Sequence, residues 1–321
     1  MNILVTGGAG FMGSSFVRYL IKKKLVDKVI NLDLLTYAGN LDNLRDVKDS
    51  SRYKFIKGDI KDKRLLADII TEFDVKRIVN FAAETHVDNS IKSPQIFLET
   101  NILGTAALLD IATEFDIRFH QVSTDEVFGA LDEDDPPFHE KSLYDPRSPY
   151  SASKAAGDHL AKSYFNTYGT KITISNSSNN YGPYQFPEKI IPLFITNLMQ
   201  DKKVPVYGDG LYIRDWLFVE DHTRAIWRIL VKGEIGQSYC IGAGNEMTNL
   251  ELTKKILDLL DKDESYIEYV QDRKGHDRRY ATDTTKIQKE IKWKSEIKFD
   301  EGIRKTVEWY KANKWWWRKL K

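Results

Sequence analysis

The feature that most constrains this chain is a glycine-rich turn near its start, in the segment ILVTGGAGFMG. An apolar run precedes the glycines and a helical pattern follows them. Gly8, Gly10 and Gly13 fit the spacing G-x-G-x-x-G, and Gly7 extends it to G-x-x-G-x-x-G. Glycine lets the backbone approach a pyrophosphate closely, and the free N–H groups of the helix start bind its oxygens. The turn therefore predicts a dinucleotide site on a strand–turn–helix unit.

The second predicted strand ends in an acidic residue that bears on the choice of cofactor. Asp33 follows Gly13 by 20 residues, where the ribose-binding acid of such sites is expected. A carboxylate accepts hydrogen bonds from a ribose 2′-OH but repels a 2′-phosphate, and the segment DLLTYAGN contains no Arg. NAD is therefore favoured over NADP. Asp59, after the third strand, is open to two interpretations, a contact to the adenine edge or a cap on its own turn.

Short apolar runs alternate with longer helical patterns in the first half of the chain. Strands are predicted at Asn2–Thr6, Lys28–Leu32, Tyr53–Lys57, Arg77–Phe81, Arg118–Ser123 and Lys171–Ser175. Helices are predicted at Phe11–Lys24, Asp62–Phe73, Ser93–Phe115 and Tyr150–Tyr168. The alternation predicts an α/β fold of the Rossmann type, a doubly wound parallel sheet that binds ligands beyond the carboxyl ends of its strands.

The pattern changes after residue 175, where loops and turns become denser. We expect an NAD-binding Rossmann domain over residues 1–175 and a smaller, mixed α/β C-terminal substrate domain over residues 176–321. Some of the later elements are expected to return to the first sheet.

Composition excludes several classes of function. The chain has 48 Lys and Arg against 47 Asp and Glu, so no strong field attracts it to nucleic acid or to a membrane surface. It lacks an apolar run of about 18 residues and a basic, cleavable N-terminal segment, so neither a transmembrane helix nor a signal peptide is expected. Cys240 is the single cysteine, which excludes an intrachain disulfide and favours the cytoplasm. The spacing of the histidines predicts no metal site.

The C-terminal segment WYKANKWWWRKLK contains four of the seven tryptophans. We expect it to pack as an amphipathic element against the body of the protein, with a surface for partners as the alternative. Because Trp315, Trp316 and Trp317 are consecutive, one helix face cannot bury all three.

The segment YSASK places Tyr150 and Lys154 at positions i and i+4, on one face of a helix that Pro149 begins. A phenol with its ordinary pKa near 10 is a poor base at neutral pH. A nearby ammonium and the charge of a nicotinamide lower the pKa of Tyr150, which then accepts a proton from an alcohol while hydride leaves the carbon.

Two adjacent acids follow a β-branched run in the segment VSTDEVFG. On a regular strand, Asp125 faces away from Thr124 and Glu126. For both acids to reach one ligand, the strand must end near Thr124 and the chain must turn there, and we predict that it does. The alternative interpretation of Asp125 and Glu126 is a solvated acidic turn, like the nearby DEDD.

Taken together, these motifs resemble the extended branch of the short-chain dehydrogenase/reductase superfamily and, more narrowly, the dTDP-glucose 4,6-dehydratases. The resemblance covers essentially the whole chain and includes FAAETHVDNSI, SPYSASKAAGDHL and VYGDGLYIRDWLFVEDH. The segments STDEVFG, NNYGPYQFPEK and GHDRRY are its most specific parts. Two departures are Lys274, where the family usually has Pro, and Met12, where Ile is more usual.

This resemblance implies a reaction and a role for each catalytic residue. The expected enzyme is a carbon–oxygen lyase with retained NAD that converts dTDP-glucose to dTDP-4-keto-6-deoxy-glucose, for deoxysugar biosynthesis of the rhamnose type. Tyr150 is the base for the sugar 4-OH, Lys154 lowers its pKa, and Thr124 hydrogen-bonds the same hydroxyl. Asp125 is the acid at C6 and Glu126 the base at C5.

The resemblance also implies two sets of binding residues. The set for NAD is Gly7, Gly10, Phe11, Met12, Gly13, Asp33, Asp59, Ile60, Phe81, Ala82, Ala83, Thr85, Thr100, Tyr150, Lys154 and Asn180. The set for the nucleotide sugar is Thr85, Thr124, Asn179, Glu188, Lys189, Pro205, Val206, Tyr207, Arg214, Asn249, Arg273 and His276, with Pro205 to Tyr207 lining the thymine pocket.

A homodimer built on a four-helix bundle is a further implication of the resemblance, through the helices at Ser93–Phe115 and Tyr150–Tyr168. The alternative is that these helices are buried within one subunit.

Three other functions stay open at this point. A UDP-sugar 4-epimerase needs the glycines, Tyr150 and Lys154 but no acid–base pair for elimination. Another nucleotide-sugar dehydratase needs the glycines, Tyr150 and Lys154 and also an acid–base pair for elimination. A non-catalytic dinucleotide sensor needs neither Tyr150 nor Lys154.

Overall fold

The structure is a computed structural model that describes residues 1–272 and 275–321. Its strands in these ranges are β1 (Asn2–Thr6), β2 (Lys28–Asp33), β3 (Tyr53–Lys57), β4 (Val75–Asn80), β5 (Arg118–Thr124), β6 (Ile172–Ser177), β7 (Asn179–Tyr181), β8 (Val204–Tyr207), β9 (Ile213–Phe218), β10 (Ser238–Ile241), β11 (Glu246–Thr248) and β12 (Ile267–Val270). Its α-helices are α1 (Phe11–Lys22), α2 (Lys63–Phe73), α3 (Val87–Lys92), α4 (Gln95–Leu98), α5 (Thr105–Glu114), α6 (Pro149–Tyr168), α7 (Ile190–Leu198), α8 (Val219–Lys232), α9 (Asn249–Leu259), α10 (Thr285–Ile291), α11 (Phe299–Ala312) and α12 (Lys314–Trp317).

Seven parallel strands form the central sheet, in the order β10-β6-β5-β4-β1-β2-β3. The chain therefore winds outwards in both directions from β1, and a crevice opens between the carboxyl ends of β1 and β4. One apolar core lies under α1 and α8 and includes Phe16 and Ile226. A second lies under α2, α5 and α6 and includes Leu66, Leu108 and Ala161. The predicted doubly wound Rossmann-type sheet is confirmed.

The C-terminal part of the chain adds one strand to the central sheet and forms two small sheets of its own. Strand β10 pairs in parallel with β6, so this late segment returns to the central sheet as expected. Strands β11, β9 and β7 form a three-stranded sheet, and β12 pairs with β8. A third apolar core fills the space between these strands and α7, α9 and α11, around Trp216 and Val307. Mixed α/β structure of this kind agrees with the fold class predicted for the C-terminal region.

The predicted helix at Ser93–Phe115 is helical from Gln95 to Glu114, but a π-helical segment at Glu99–Gly104 separates α4 from α5. Among the residues that the structure describes, Gln95–Glu114 is the one helical run with the length and composition of a membrane span, and 50% of its apolar window is buried inside the protein. The core helix of a globular protein meets the same criteria.

The tryptophan-rich segment packs against the body of the protein, as predicted. Trp316 and Trp317 are each 1% exposed, whereas Trp315 is 44% exposed. Trp316 and Trp317 belong to the third apolar core, in which Tyr310 is also buried. The three consecutive indoles thus divide between core and surface, because one helix face cannot hold them all.

Candidate active site

The glycine turn connects β1 to α1 and leaves the start of the helix open. Gly7 has φ +67°. A Cβ atom there would lie 2.6 Å from the backbone nitrogen of Ala82, which lies just after the end of β4. A Cβ atom at Gly13 would collide with the carbonyl oxygen of Gly7. Gly10 caps α1 without a side-chain acceptor, so no side chain occupies the N–H groups of the first turn. These features form a cradle for phosphate groups.

Asp33 ends β2 beside this turn and is largely buried. Its Oδ2 accepts a hydrogen bond from the backbone N–H of Ala9 at 2.8 Å, and its Oδ1 accepts one from Leu35 at 2.8 Å. Burial raises the pKa of the Asp33 carboxyl. Asp33 therefore stabilises the conformation of the glycine turn, and it also lies where a ribose is expected.

Asp59 caps its own turn, because its Oδ1 accepts a hydrogen bond from the N–H of Lys61 at 2.9 Å. Of the two interpretations of Asp59, the structure thus shows the cap on its own turn. Ile60 is buried against Gly104, and Thr100 lies in the π-helical segment.

The chain turns directly after Thr124, as the two adjacent acids required. Strand β5 ends at Thr124, and a 3₁₀ turn begins at Asp125 and ends at Phe128. The Thr124 hydroxyl caps this turn by accepting a hydrogen bond from the N–H of Glu126 at 3.3 Å, and it donates one to Asp125 Oδ1 at 3.3 Å. Both acids therefore face the crevice, and Asp125 and Glu126 line the same cavity.

The two acids differ in their environments. Asp125 is 2% exposed, and burial, with the nearby Glu126 carboxylate, raises the pKa of its carboxyl well above the ordinary value. Arg214 opposes this rise. This environment favours the protonated form of Asp125, which can donate a proton. Glu126 lines two adjoining cavities at the point where they meet.

Tyr150 and Lys154 lie in the first two turns of α6, which the Ser148–Ser151 capping box and Pro149 begin. Burial, and then the Glu126 carboxylate, raise the pKa of the Tyr150 phenol, whereas a hydrogen bond with Thr124 lowers it. The pKa of Tyr150 is thus raised, not lowered, by the protein's own groups. The lowering that the sequence predicted from Lys154 is therefore not seen in the protein alone, and it stays a prediction for the site with the positively charged nicotinamide present.

Lys154 is buried at the carboxyl end of β5, where its Nζ donates a hydrogen bond to the carbonyl oxygen of Val122 at 2.7 Å. Burial lowers its pKa to about 8, and the Asp158 carboxylate opposes this effect. Lys154 is consequently still protonated at neutral pH.

Asp158 was not predicted as a site residue, although it follows Lys154 by four positions on the same helix. Its Oδ2 accepts hydrogen bonds from Ser123 at 2.8 Å, Tyr144 at 3.0 Å and Asn176 at 3.1 Å. Burial raises the pKa of this carboxyl. Asp158 ties α6 to the ends of β5 and β6, and the i, i+4 spacing from Lys154 is the signal that identifies it in the sequence.

Two adjoining cavities lie beyond the carboxyl ends of the strands. The first, of about 250 Å³, runs from the glycine turn to the acids, and the second, of about 210 Å³, runs from the acids into the C-terminal region. The predicted NAD residues that line the first cavity are Gly7, Gly10, Phe11, Met12, Gly13, Phe81, Ala83, Thr85, Tyr150, Lys154 and Asn180. The predicted NAD residues that do not line it are Asp33, Asp59, Ile60, Ala82 and Thr100.

The second cavity collects most of the residues predicted for the nucleotide sugar. Those that line it are Thr85, Asn179, Glu188, Lys189, Pro205, Val206, Tyr207, Arg214, Asn249 and His276. Thr124 lines the first cavity instead. Arg273 and Lys274 lie outside the residues that the structure describes.

Arg214 and His276 are held in place from behind the second cavity. The Arg214 guanidinium donates to the carbonyl oxygens of Ile213 and Asp277 and lies 4.3 Å from the ring centre of Tyr280. The His276 ring stacks on Tyr212, with 3.6 Å between ring centres, and its Nδ1 is 2.7 Å from Asp272 Oδ1. Both residues present nitrogen atoms from a fixed frame, which suits recognition of an anion.

Several residues that line the cavities were not predicted from the sequence. They are Ala38, Val122, Ser123, Ser177, Ser178, Tyr184, Gln185 and Phe186 in the first cavity, and His86, Val87, Asp88, Ile190, Leu193, Phe194, Trp216 and Tyr280 in the second. Most are loop or strand-end residues, brought together by tertiary contacts.

The first cavity fits the predicted dinucleotide. The glycine cradle is open to phosphate groups, and the side-chain oxygens of Asn179, Asn180 and Gln185 are buried on its wall without a hydrogen-bond partner. Buried acceptors are normally paired, so these three suit the hydroxyl and amide donors of a bound nucleotide. Among the described residues, no cluster of His, Cys, Asp and Glu has the arrangement of a metal site.

Comparison with known proteins agrees with this geometry. A sequence profile for the family described as "GDP-mannose 4,6 dehydratase" matches residues 4–306. The dTDP-glucose 4,6-dehydratase of Salmonella typhimurium is 49% identical to the chain over 346 aligned positions, which cover 100% of the chain and 96% of that protein.

Solved structures extend the comparison to three dimensions. The dTDP-glucose 4,6-dehydratase of Streptomyces venezuelae, solved with NAD bound, is 48% identical, with a TM-score of 0.98 over 100% of both chains. The UDP-glucose 4-epimerase of Thermotoga maritima, solved with UDP-glucose, is 29% identical, with a TM-score of 0.90 over 97% of this chain and 99% of that one. With a matching profile and relatives nearly half identical from end to end, the chain belongs to the GDP-mannose 4,6 dehydratase family and, within it, to the dTDP-glucose 4,6-dehydratases.

Proposed function

We propose that this chain is a hydro-lyase that converts dTDP-glucose to dTDP-4-keto-6-deoxy-glucose, with NAD retained through the cycle. The observation that carries the proposal is the pairing of a buried Asp125, whose pKa is raised, with Glu126 beside Tyr150 and Thr124. An epimerase needs the tyrosine and the cofactor but has no need of a proton donor for a leaving hydroxyl.

The first step prepares the sugar for elimination. Tyr150, helped by the hydrogen bond with Thr124 and the charge of Lys154, takes the proton of the 4-OH. NAD, when bound, accepts hydride from C4 and returns it to C6 at the end of the cycle. Glycine-turn residues and the wall of the first cavity hold this cofactor. The resulting C4 ketone makes the neighbouring C5–H acidic, because the carbanion is delocalised as an enolate.

Elimination then needs one base and one acid on the same sugar. Glu126 takes the C5 proton, and Asp125 gives its proton to the departing C6 hydroxyl, which leaves as water. Glu126 returns a proton to C5, and the proton that Tyr150 gained replaces the one that Asp125 lost. The burial of Asp125, which raises its pKa, and the position of Glu126 where the two cavities meet support this division of roles.

We assign the second cavity to the nucleotide diphosphate of the substrate. Arg214 and His276, with Asn179, Lys189 and Asn249, suit the diphosphate, and Pro205 to Tyr207 suit the thymine ring. On this basis residues 176–321 act as the nucleotide-sugar-binding domain and residues 1–175 as the NAD-binding domain, with β10 returning to the first sheet.

We also propose that the chain works as a homodimer, through a four-helix bundle of Ser93–Phe115 and Tyr150–Tyr168 with their symmetry mates, in the cytoplasm. Ile96 and Leu103 on the first of these helices are 44% and 58% exposed, which supports a contact there. Neither nucleic acid nor a membrane is among the proposed partners.

The reaction is tested by incubating purified protein with dTDP-glucose and weighing the nucleotide product. A product one water lighter supports the dehydratase, whereas an isomer of equal mass supports the epimerase. Absence of turnover, even with added NAD, supports a non-catalytic sensor.

Glu126→Gln tests the assignment of the base. This variant should still exchange hydride at C4, seen as 4-keto-glucose nucleotide after acid quench, but should lose about 10²–10⁴ in the rate of elimination. A variant that forms the 6-deoxy product at the wild-type rate removes Glu126 as the base. Glu133→Gln, in the exposed DEDD turn, is the matched control.

A further inference from the structure

The short C-terminal helix α12 reaches the loop that follows β2 and lies beside the glycine turn. Trp316 Nε1 donates a hydrogen bond to Asn43 Oδ1 at 2.8 Å, across 273 positions of sequence, and both residues are 1% exposed. Asn43 lies in the 3₁₀ turn Leu41–Leu44. A second contact joins the same elements, since the Arg45 guanidinium lies 5.3 Å from the ring centre of Trp315.

Asn43 connects this tryptophan to the glycine turn itself. Its Nδ2 donates a hydrogen bond to the carbonyl oxygen of Ala9 at 2.8 Å, and the Asn40 N–H donates to the same oxygen at 3.0 Å. The N–H of Ala9 donates to Asp33. Ala9 is fully buried between Gly8 and Gly10, so the peptide groups that form the phosphate cradle are held from both sides.

An aromatic contact gives α12 a second connection to the cofactor cavity. Trp316 packs edge-on against Tyr184, with 5.8 Å between ring centres, and Tyr184 lines the cavity. The Arg18 guanidinium of α1 lies 4.3 Å from the Tyr184 ring centre and donates to the backbone oxygen of Asn43. Trp316, Tyr184, Arg18 and Asn43 therefore form one cluster behind the glycine turn, in which Trp316 and Asn43 are buried.

We infer that the tryptophan-rich C-terminal helix is part of the NAD site: Trp316 is a positioning residue that acts through Asn43 to fix the glycine turn in its phosphate-binding shape. A glycine turn has many accessible conformations, and fixing it in advance reduces the entropy lost when the cofactor binds. This inference rests on the proposed function, which requires NAD to stay bound through the cycle.

Trp316→Phe tests the inference, because phenylalanine keeps an aromatic ring against Tyr184 but lacks the N–H donor. Trp317→Phe is the matched control: Trp317 is equally buried in the same helix, but its Nε1 donates to the carbonyl oxygen of Tyr310 at 2.9 Å, away from the turn. The readout is the rate at which protein-bound NAD exchanges with isotope-labelled NAD.

We expect NAD to leave the Trp316→Phe protein about three to ten times faster, the effect of one lost hydrogen bond, and the Trp317→Phe protein at the wild-type rate. The affinity for dTDP should be equal in all three proteins, and saturating NAD should restore kcat in Trp316→Phe. Equal exchange rates in the two variants would overturn the inference, since a purely structural role affects both alike.

A double-mutant cycle tests the route through Asn43. Asn43→Leu removes the acceptor for Trp316 and the donor to Ala9, so adding Trp316→Phe to it should not speed NAD exchange further. Independent, multiplying effects would exclude Asn43 as the link. Wild-type protein that holds no NAD at all would contradict the proposed function as well, which separates that failure from a failure of this inference.

Discussion

At the scale of single residues, the two neighbouring acids of the turn after β5 have unlike surroundings. Asp125 is buried and its pKa is raised, whereas Glu126 stands at the junction of the two cavities. Asp125 is thereby suited to give a proton and Glu126 to take one. Two neighbouring carboxylic acids thus acquire different chemistry from their different surroundings.

Asp125→Asn should abolish the acid without changing the shape of the turn. We expect the dehydration rate to fall by about 10²–10⁴, with oxidation at C4 retained. Rapid-quench analysis of the nucleotide products measures both steps. Asp134→Asn in the exposed acidic turn is the control, and a wild-type rate in Asp125→Asn would contradict the assignment.

Asp125→Asn should also change the way in which stability depends on pH. The folded pKa of Asp125 is raised, so its contribution to stability is greatest below its ordinary pKa of 3.8 and is lost as the pH rises through the folded pKa. An amide does not ionise. The melting temperature of Asp125→Asn relative to wild type should therefore increase between pH 5 and pH 9 on the order of a few degrees; a constant difference would contradict this.

The buried Lys154 should give stability a pH dependence of opposite sign to that from Asp125. Burial lowers the folded pKa of Lys154 to about 8 from its ordinary value of 10.5, so below pH 8 burial of the ammonium costs stability, and this cost disappears as the pH rises from 8 to 10.5. The free energy of unfolding of wild type relative to Lys154→Met should therefore rise by about 2 kcal/mol between pH 7 and pH 9.5. Chemical denaturation measures it, with the exposed Lys141→Met as a control that should show no trend.

At the scale of elements, the junction of β5 with its 3₁₀ turn determines the direction in which the side chains of Asp125 and Glu126 point. The sequence predicts that the strand ends near Thr124, because only a turn there brings Asp125 and Glu126 to one side. The structure confirms this, and the cap is the Thr124 hydroxyl itself. One side chain therefore both shapes the turn and hydrogen-bonds Tyr150.

Thr124→Val should disturb both roles, while Thr124→Ser retains them. We expect kcat of the valine variant to fall about 10²-fold and its free energy of unfolding by about 1 kcal/mol, as for a lost cap. The serine variant should stay within about threefold of wild type in kcat. Steady-state kinetics and denaturation measure the two effects, and equal activity of Val and Ser would contradict the role of the hydroxyl.

At the scale of the whole molecule, the helical run from Gln95 to Glu114 carries apolar side chains that the single chain leaves in solvent. Leu103 is 58% exposed and Leu98 41% exposed, on a helix that packs against α6. A homodimer contact covers such a surface at little cost, because the helices are already rigid.

Leu103→Asp should separate the proposed dimer. Light scattering at micromolar concentration is expected to give twice the chain mass for wild type and the single chain mass for the variant, since the aspartate is costly to bury in an apolar contact. Leu143→Asp, at a leucine 87% exposed on a loop, is the matched control and should stay dimeric. A dimeric Leu103→Asp protein would place the contact elsewhere.

Local spacing in the sequence determined the glycine turn, the alternation of strands and helices, the Tyr150–Lys154 pair and the preference for NAD, because each depends on neighbours within a few residues or on a regular period. The contacts of Asp158 and the raised pKa of Tyr150 were not predicted in the same way. They depend on which side chains meet across elements.

Tertiary structure alone decided that the pKa of Asp125 is raised, which loop residues line the cavities, and that Trp316 touches the loop beside the glycine turn. Desolvation and long-range hydrogen bonds arise from every element packed around a group, and no spacing along the chain encodes that sum. The sequence thus specified the groups needed for oxidation and elimination, whereas packing raised the pKa of Asp125 and placed the tryptophan-rich helix against the loop beside the glycine turn.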